Sequence, residues 1–294
     1  MIYGFIDSGL GGRHTALLVR FVKQWIAGED RDSAIRRAQR SNKRGIFTIL
    51  NNLGEDTFEK SDVEATVREY MALVADIGRT EINGCVSLKP TQFGICFDKD
   101  YCYTNMRKVM LEAKKNDLFM WVDMESREHT DNTIDIYLKL REEYVETGVC
   151  IQCYMKRSRK DLAMLLSHNA KIRLVKGAYN EPPDIVFKNM DDINREFSAQ
   201  MLMLFEKGEW FAIATHDSKL IDEAIRLNKK YRREFEFQFL LGVRDELKAR
   251  LLDNGFRVTE YVPYGKNWLP YTMRRFREKK SNIFLLARSM VSQS

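Results

Sequence analysis

Long apolar runs are missing from this 294-residue sequence, and their absence excludes one class of protein at once. No stretch approaches the roughly 18 uninterrupted apolar residues of a membrane-spanning helix, and the N-terminus lacks the pattern of a secretory signal peptide. Low-complexity segments and long linkers are lacking as well. We therefore expect a single domain over residues 1–294 and a cytoplasmic location.

Cysteine and histidine are scarce, with five and four residues respectively. An odd number of cysteines in a chain of this length argues against a disulfide framework and for reduced thiols. Cys150 and Cys153 form a CxxC pair within a predicted strand, where residues three apart point to opposite faces, so we do not expect a redox pair. The histidines lie far apart without the spacing of metal ligands, and no metal site is predicted.

What the sequence does contain is a regular alternation of two kinds of segment. Short runs rich in β-branched and apolar residues alternate with polar segments of helical periodicity, such as residues 61–78, 132–148 and 218–234. Strands that are apolar nearly throughout, each followed by an amphipathic helix, indicate a parallel sheet covered by helices. The strand candidates are "GIFTILNNLG", "NGCVSLKP", "LFMWVDME", "GVCIQCYM", "KIRLVKGAY", "WFAIATHD", "FEFQFLLG" and "FRVTEYVPYG".

Eight such units over about 250 residues favour one α/β architecture, the (βα)8 TIM-like barrel, over an open doubly wound sheet. We predict that the barrel, with a C-terminal helix, occupies residues 41–294. Residues 1–40 are predicted to form N-terminal helices that precede the first strand and pack against the barrel.

Each predicted strand ends in a polar or turn-forming cluster. In a parallel barrel the C-terminal strand ends share one face, and active sites lie on that face. Polar groups from separate strands should therefore converge there. Prolines that follow strand candidates and should stiffen the loops of this face are Pro90, Pro182, Pro183 and Pro263. The polar groups predicted to converge are Lys89, Asp123, Gln152, Arg173, Lys176, His216, Tyr261 and Arg274.

The segment "YVPYGKNWLPYTMRR", residues 261–275, has an unusual composition, because it combines three tyrosines and a tryptophan with two adjacent arginines. A site that binds a small anion beside a flat apolar surface would need both kinds of side chain. Adjacent arginines on a solvated helix face are the alternative interpretation.

Seven of these motifs, taken in order, resemble those of the proline dehydrogenase family, specifically its monofunctional, flavin-dependent bacterial type. They are "VSLKPTQFG", "VDMES", "IQCYMKRS", "RLVKGAY", "ATHD", "FQFLLG" and "YVPYGKNWLPYTMRR". The resemblance runs from about residue 23 to about residue 282. It implies a distorted (βα)8 barrel with FAD bound at the C-terminal ends of the strands.

The resemblance also implies a reaction and a substrate site. L-proline would be oxidised to 1-pyrroline-5-carboxylate by transfer of a hydride from its carbon 5 to FAD, and a quinone would reoxidise the flavin. Lys89, Arg274 and Arg275 would bind the substrate carboxylate, since a pair of arginines can hold one carboxylate from two directions. The residues expected to enclose the proline ring are Tyr261, Tyr271 and Leu174, with Asp123 holding the hydroxyl of Tyr261.

The cofactor contacts that the resemblance implies begin with Arg173, which would approach flavin N5 and act in catalysis with Tyr261 and Asp123. A cation there would stabilise the anionic reduced flavin. Further contacts would come from Gln152 at the pyrimidine edge, Lys176 and Gly177 on the phosphate side, Thr215, His216, and Glu278 near the ribityl chain. The sequence departs from the family after that glutamate, where two lysines of "RRFREKKSN" replace an arginine and a proline.

Two other functions remain open at this point. One is another flavin barrel of the methylenetetrahydrofolate-reductase type, and the other is a non-catalytic barrel whose basic surface binds nucleic acid or acidic lipid. The net charge of +6 is spread along the chain and is more typical of solvated helix faces, so nucleic-acid binding is not expected. Because quinones dissolve in bilayers, residues 282–291, which are apolar on one side and follow the basic segment "RRFREKK", are a candidate for peripheral contact at the inner face of the cell membrane, although packing on the barrel is the favoured alternative.

Overall fold

The computed structural model of the protein describes residues 24–268, and within them eight parallel strands close into a barrel. The strands pair in chain order, and the last pairs with the first. Each lies, to within one residue, inside a predicted strand segment, so the predicted (βα)8 barrel is confirmed. The strands are β1 (Phe47–Asn52), β2 (Gly84–Leu88), β3 (Met120–Val122), β4 (Thr147–Gln152), β5 (Lys171–Val175), β6 (Phe211–Ala214), β7 (Phe235–Leu240) and β8 (Arg257–Tyr264).

Helices cover the outside of the barrel. The first, α1 (Arg31–Asn42), precedes β1 as predicted and begins where the Asp30 carboxylate accepts a hydrogen bond from the Ser33 amide at 2.7 Å. No helix within residues 24–268 is long and apolar enough to cross a bilayer. The other helices each follow one strand, and they are α2 (Lys60–Thr80), α3 (Lys99–Lys115), α4 (Thr130–Glu143), α5 (Ser158–Ser167), α6 (Met190–Lys207), α7 (Ser218–Tyr231) and α8 (Asp245–Asp253).

The two faces of each strand have different surroundings, because successive side chains point to opposite sides. Along β3, Val122 packs in the layer between strands and helices, whereas Trp121 faces the barrel interior. The Trp121 ring lies 4.9 Å from that of Phe119 and 5.7 Å from that of Trp210, and this aromatic group fills the lower interior. Gly148 makes room for it, since a Cβ there would lie 2.5 Å from the Trp121 ring. Asp123 and Arg173 lie above this group, because each is two residues further along its strand than the level of Trp121.

Pro263 was predicted to follow β8, and that prediction is wrong because the residue lies inside the strand. Pairing of β8 with β7 ends at Tyr261, so β7 offers no carbonyl that would need an N–H from Pro263. On this side the Pro263 carbonyl instead accepts a hydrogen bond from the Ala27 amide at 2.8 Å. The strand can therefore continue through a proline.

The barrel wall opens between β1 and β2, because their pairing ends at Leu50 and Val86. Above that point the hydroxyl of Tyr70, from α2, accepts a hydrogen bond from the Asn52 amide at 3.1 Å and donates one to the Ser87 carbonyl at 2.9 Å. This buried hydroxyl thus bridges β1 and β2 beyond the end of their direct pairing.

Candidate active site

A buried pair of opposite charges, Arg173 and Asp123, lies at the centre of the C-terminal face. Arg173 on β5 is 4% exposed and Asp123, just after β3, is 6% exposed. Nη2 of Arg173 contacts Oδ1 of Asp123 and also donates a hydrogen bond to Ser87 Oγ at 3.2 Å. Ser87 Oγ in turn donates a hydrogen bond to the same Asp123 oxygen at 2.6 Å. Burial alone would raise the pKa of Asp123, but the charges of Arg173 and Lys89 hold it below its ordinary value. Asp123 is therefore a carboxylate at neutral pH.

Tyr261 is held in place by this pair. Its hydroxyl donates a hydrogen bond to Asp123 Oδ2 at 3.1 Å, which is the contact predicted from the sequence. Burial, with the charge of Asp123 in support, raises the pKa of Tyr261 far above its ordinary value, so the phenol stays neutral. The Arg173 guanidinium lies 5.0 Å from the ring centre of Trp121 and 5.8 Å from that of Tyr261. Two aromatic faces and one carboxylate thus orient the guanidinium.

Lys89 lies beside this pair and has several acidic neighbours. Its Nζ is 3.3 Å from Glu55 Oε1, 3.7 Å from Asp123 Oδ2 and 4.0 Å from Glu125 Oε1, and it donates to the Tyr179 hydroxyl at 3.5 Å. Burial would lower the pKa of Lys89, but Tyr179 and the carboxylates raise it well above its ordinary value. The side chain is therefore a cation, and it is 15% exposed.

Glu125 is the most unusual of these acidic groups. It is 2% exposed, and its carboxyl group accepts hydrogen bonds from the Thr91 amide and the Thr91 hydroxyl, both at 2.8 Å. Burial raises the pKa of Glu125 to about 7, although Lys89 and Thr91 act in the opposite direction. Near neutral pH this carboxyl group is poised between its neutral and charged forms.

Glu55, Glu125 and Tyr179 were not among the predicted site residues. Each lies within or just after a strand segment that the sequence did reveal, in "NNLGED", "VDMES" and "KGAY". The position of Glu125 could have been predicted, because it is two residues after Asp123 and side chains two residues apart on an extended chain point to the same side. Glu55 and Tyr179 sit on loops, where that rule does not apply.

The predicted cofactor residues that the structure describes occupy the side of the same face formed by β4, β5 and β6. Gln152 Nε2 donates to the Glu125 carbonyl at 2.8 Å, and Gln152 Oε1 accepts from the Ala178 amide at 3.4 Å. Gly177 adopts a φ of +114°, and a Cβ on it would lie 2.1 Å from the Tyr154 ring, so only glycine fits.

Three more of them lie at the ends of β5 and β6. Lys176 Nζ donates to Asp217 Oδ2 at 3.0 Å, and Thr215 Oγ1 accepts from the Asp217 amide at 3.2 Å. His216 Nε2 accepts a hydrogen bond from the Leu240 amide at 3.1 Å, so the ring N–H of this tautomer is on Nδ1. The structure thus brings Gln152, Lys176, Gly177, Thr215 and His216 onto the face that carries the charged pair.

One buried donor atom in this region, Nη1 of Arg173, lacks an acceptor within the described part of the chain. An unsatisfied buried donor costs about 1–3 kcal/mol, so an acceptor on a bound molecule would be stabilised at this position.

Among the predicted site residues within residues 24–268, only Leu174 lies away from the site. It is fully buried in the apolar layer between strands and helices, on the opposite side of β5 from Arg173. Its contact with substrate stays a prediction, and this placement argues against it. The remaining predicted residues, Tyr271, Arg274, Arg275 and Glu278, lie outside the described residues.

The CxxC cysteines are free and buried. Burial raises the pKa of the Cys150 thiol, and it raises that of Cys153 to about 12, so both stay protonated at neutral pH. Neither is activated as a nucleophile or redox centre. The Cys153 thiol donates instead to the Ile193 carbonyl at 3.6 Å, a packing contact beneath α6.

Known proteins are similar to this chain over most of its length. The sequence model of the proline dehydrogenase family matches residues 34–287. Proline dehydrogenase 2 of Bacillus subtilis is 33% identical over 271 residues, which cover 91% of this chain and 89% of that protein. Proline dehydrogenase of Deinococcus radiodurans is 30% identical over 277 residues, which cover 92% and 89%.

Solved structures match the fold. Proline utilization A of Bdellovibrio bacteriovorus, in a crystal structure of the protein inactivated by N-propargylglycine, superimposes with a TM-score of 0.83 at 22% identity. That match covers 90% of this chain and 33% of the other. Proline utilization A of Bradyrhizobium japonicum gives a TM-score of 0.72 at 21% identity, covering 87% and 30%. At these identities the likeness establishes the barrel, and the chain spans about a third of the length of either protein.

Proposed function

Because the chain belongs to the proline dehydrogenase family, we propose that it oxidises L-proline to 1-pyrroline-5-carboxylate, with FAD as hydride acceptor and a quinone as the final electron acceptor. In this reaction the C5–H bond breaks, a C5=N double bond forms, and the proton on nitrogen is released. The family favours this chemistry over that of a methylenetetrahydrofolate-reductase-like barrel or a polyanion-binding barrel.

The observation that carries the proposal is the buried network of Arg173, Asp123, Tyr261 and Lys89 at the C-terminal barrel face. Asp123 accepts hydrogen bonds from Tyr261 on β8 at 3.1 Å and from Ser87 on β2 at 2.6 Å, and it pairs with Arg173 on β5, so its own position is determined by residues of three strands. Preorganised groups of this kind stabilise a reacting molecule without reorganising during the reaction. Tyr261 and Arg173 thus present a rigid aromatic face and a rigid cation side by side.

The described residues fit FAD. Arg173 Nη1 is a buried donor that lacks a partner among residues 24–268, as expected of a group that hydrogen-bonds to a bound ring system. Bound FAD would supply the two-electron chemistry, accepting the hydride at its N5. Gln152, Lys176, Gly177, Thr215 and His216 would hold it. Arg173 would contribute a positive charge that stabilises the reduced, anionic form.

The substrate would lie between this cofactor site and Tyr261. Its carboxylate would be bound by Lys89 together with Arg274 and Arg275, and its ring would pack on Tyr261 and Tyr271. Lys89 suits this role, because it is a cation at the opening with 15% of its side chain exposed. Asp123 holds the Tyr261 hydroxyl, so the wall of the substrate site cannot rotate without breaking that bond.

The absorbance spectrum of the purified protein tests the proposal. The protein should be yellow with non-covalently bound FAD, and the flavin band should bleach when L-proline is added without oxygen. A soluble quinone added afterwards should restore it. Colourless protein that takes up no added FAD, or a flavin band that L-proline leaves unchanged, would overturn the proposal.

Contact with a membrane is a separate part of the proposal, since a quinone acceptor dissolved in a bilayer must reach the flavin. The candidate residues 282–291 lie outside the described residues. Deleting residues 283–294 should reduce binding to liposomes while leaving activity with a soluble electron-accepting dye.

A further inference from the structure

Lys176, the lysine expected to meet the cofactor phosphates, already has an anionic partner. Its Nζ donates to Asp217 Oδ2 at 3.0 Å, and each of the two side chains is 26% exposed. The other carboxylate oxygen of Asp217 accepts a hydrogen bond from the Lys219 amide at 3.0 Å and caps the start of α7. Asp217 therefore uses both oxygens, one for the helix and one for the lysine.

This partner is a charged group rather than a neutral acceptor. Burial would raise the pKa of Asp217, but the hydrogen bond and charge of Lys176, with the amides of α7, hold it below its ordinary value. Asp217 is therefore an anion at neutral pH. A pyrophosphate that approaches Lys176 meets a carboxylate within 3.0 Å of the same ammonium group. Two anions at that distance from one cation compete for it and repel each other.

Building on the proposed function, we propose that Asp217 is an exchangeable counter-ion of Lys176: it holds the lysine when the pyrophosphate is absent and weakens the binding of FAD. The lysine changes partner when the dinucleotide binds, and the carboxylate keeps its bond to α7. This protein would thus bind FAD less tightly than the same site with an uncharged residue at position 217.

Asp217→Asn separates the two roles of this side chain. Asparagine caps helices about as well as aspartate does, so the bond to the Lys219 amide is kept while the charge is removed. Because the pair is partly exposed and screened by water, we expect FAD to bind roughly tenfold more tightly, the size of a single like-charge repulsion near a surface. If Asp217 were only a helix cap, the affinity would stay within about twofold.

Release of FAD from the full-length holoprotein measures this effect. Flavin fluorescence would be followed on serial dilution to obtain the dissociation constant of wild type, Asp217→Asn, Lys176→Met and the double variant. A matched control is Asp222→Asn, which removes an exposed charge one turn further along α7 and should leave the constant within about twofold. In the Lys176→Met background, Asp217→Asn should tighten binding much less, because no ammonium group is left to compete for.

The outcomes separate this inference from the proposed function. Equal or weaker FAD binding by Asp217→Asn overturns the counter-ion role, as does the same tightening with and without Lys176. Wild-type protein that binds no FAD overturns the proposed function itself and the inference with it. Tighter binding that depends on Lys176 supports both.

Discussion

Replacing Glu125 with glutamine should change how the stability of the protein depends on pH. The carboxyl group is 2% exposed, and its pKa is raised from 4.5 to about 7. The cause is mainly burial, since the charge of Lys89 and the hydrogen bonds from Thr91 lower it again and the charge of Glu55 adds a smaller increase. Other titratable groups that interact with this carboxyl are Tyr179 and the Cys96 and Cys102 thiols.

The sign of the effect follows from proton binding. Between pH 4.5 and pH 7 the unfolded chain loses this proton while the folded protein retains it. The folded state then binds more protons, so the free energy of unfolding falls as pH rises through this range and levels off above it. A shift from 4.5 to about 7, at about 1.4 kcal/mol for each pKa unit, corresponds to about 3 kcal/mol.

Urea unfolding of the full-length protein at several pH values between 4.5 and 8 measures this contribution. Glutamine does not titrate, so the stability of Glu125→Gln relative to wild type should rise by about 3 kcal/mol across the range. The variant also loses an acceptor for Thr91, but that cost is the same at every pH and leaves the slope unchanged. Glu128→Gln, at an exposed position nearby, is the control and should show no such slope. A constant difference between Glu125→Gln and wild type would refute the reasoning.

Four further substitutions test the site and the residues that shape it. Tyr261→Phe removes the hydroxyl that bonds to the buried Asp123 at 3.1 Å. The protein should still fold, and the ratio of kcat/KM for L-proline to kcat/KM for 4-hydroxyproline should fall. An unchanged ratio would place Tyr261 outside the substrate site. Arg274→Met and Arg275→Met should each lower kcat/KM for L-proline about 10- to 150-fold, mostly through a higher KM, because a charge-assisted hydrogen bond contributes about 1.5–3 kcal/mol. Wild-type kinetics with normal flavin content would mean that the two arginine side chains are solvated and do not bind the substrate. Gly177→Ala should lower the melting temperature more than Gly255→Ala does. Both positions have a positive φ, but of the two only Gly177 lacks space for a Cβ. Equal decreases in melting temperature would show that the Tyr154 ring beside Gly177 moves away freely.

Most of the barrel could be predicted from local pattern. Strands buried on both faces are apolar nearly throughout, and the helices between them are apolar on one side, so each element carries its own signal in the sequence. The error over Pro263 shows the limit of this approach. Proline usually ends a strand, but here the neighbouring strand stops at the level of Tyr261 and leaves no hydrogen bond for Pro263 to break.

The candidate site was predictable in part, because the C-terminal ends of parallel strands share a face wherever they occur in the chain. That rule brought Asp123 and Tyr261 together across 138 positions of sequence. It does not decide on which side of β5 Leu174 lies, and the contact of Leu174 with substrate stays a prediction: its side chain packs in the layer between strands and helices, opposite Arg173. It also missed Glu55 and Tyr179, since loop residues have no fixed direction relative to the strands they follow.

By itself, the sequence determined the order of strands and helices, the residues at the strand ends and the membership of the family, because periodicity and motifs are properties of a continuous chain. Only the tertiary structure decided which of those residues are charged partners and how their protons are held. Lys89 acquires Glu55, Asp123 and Glu125 as neighbours, and Lys176 acquires Asp217, when separate strands close into one barrel. Closure also removes water from these groups, and the cost of burying a charge then depends on every neighbour at once, which no local stretch of sequence records.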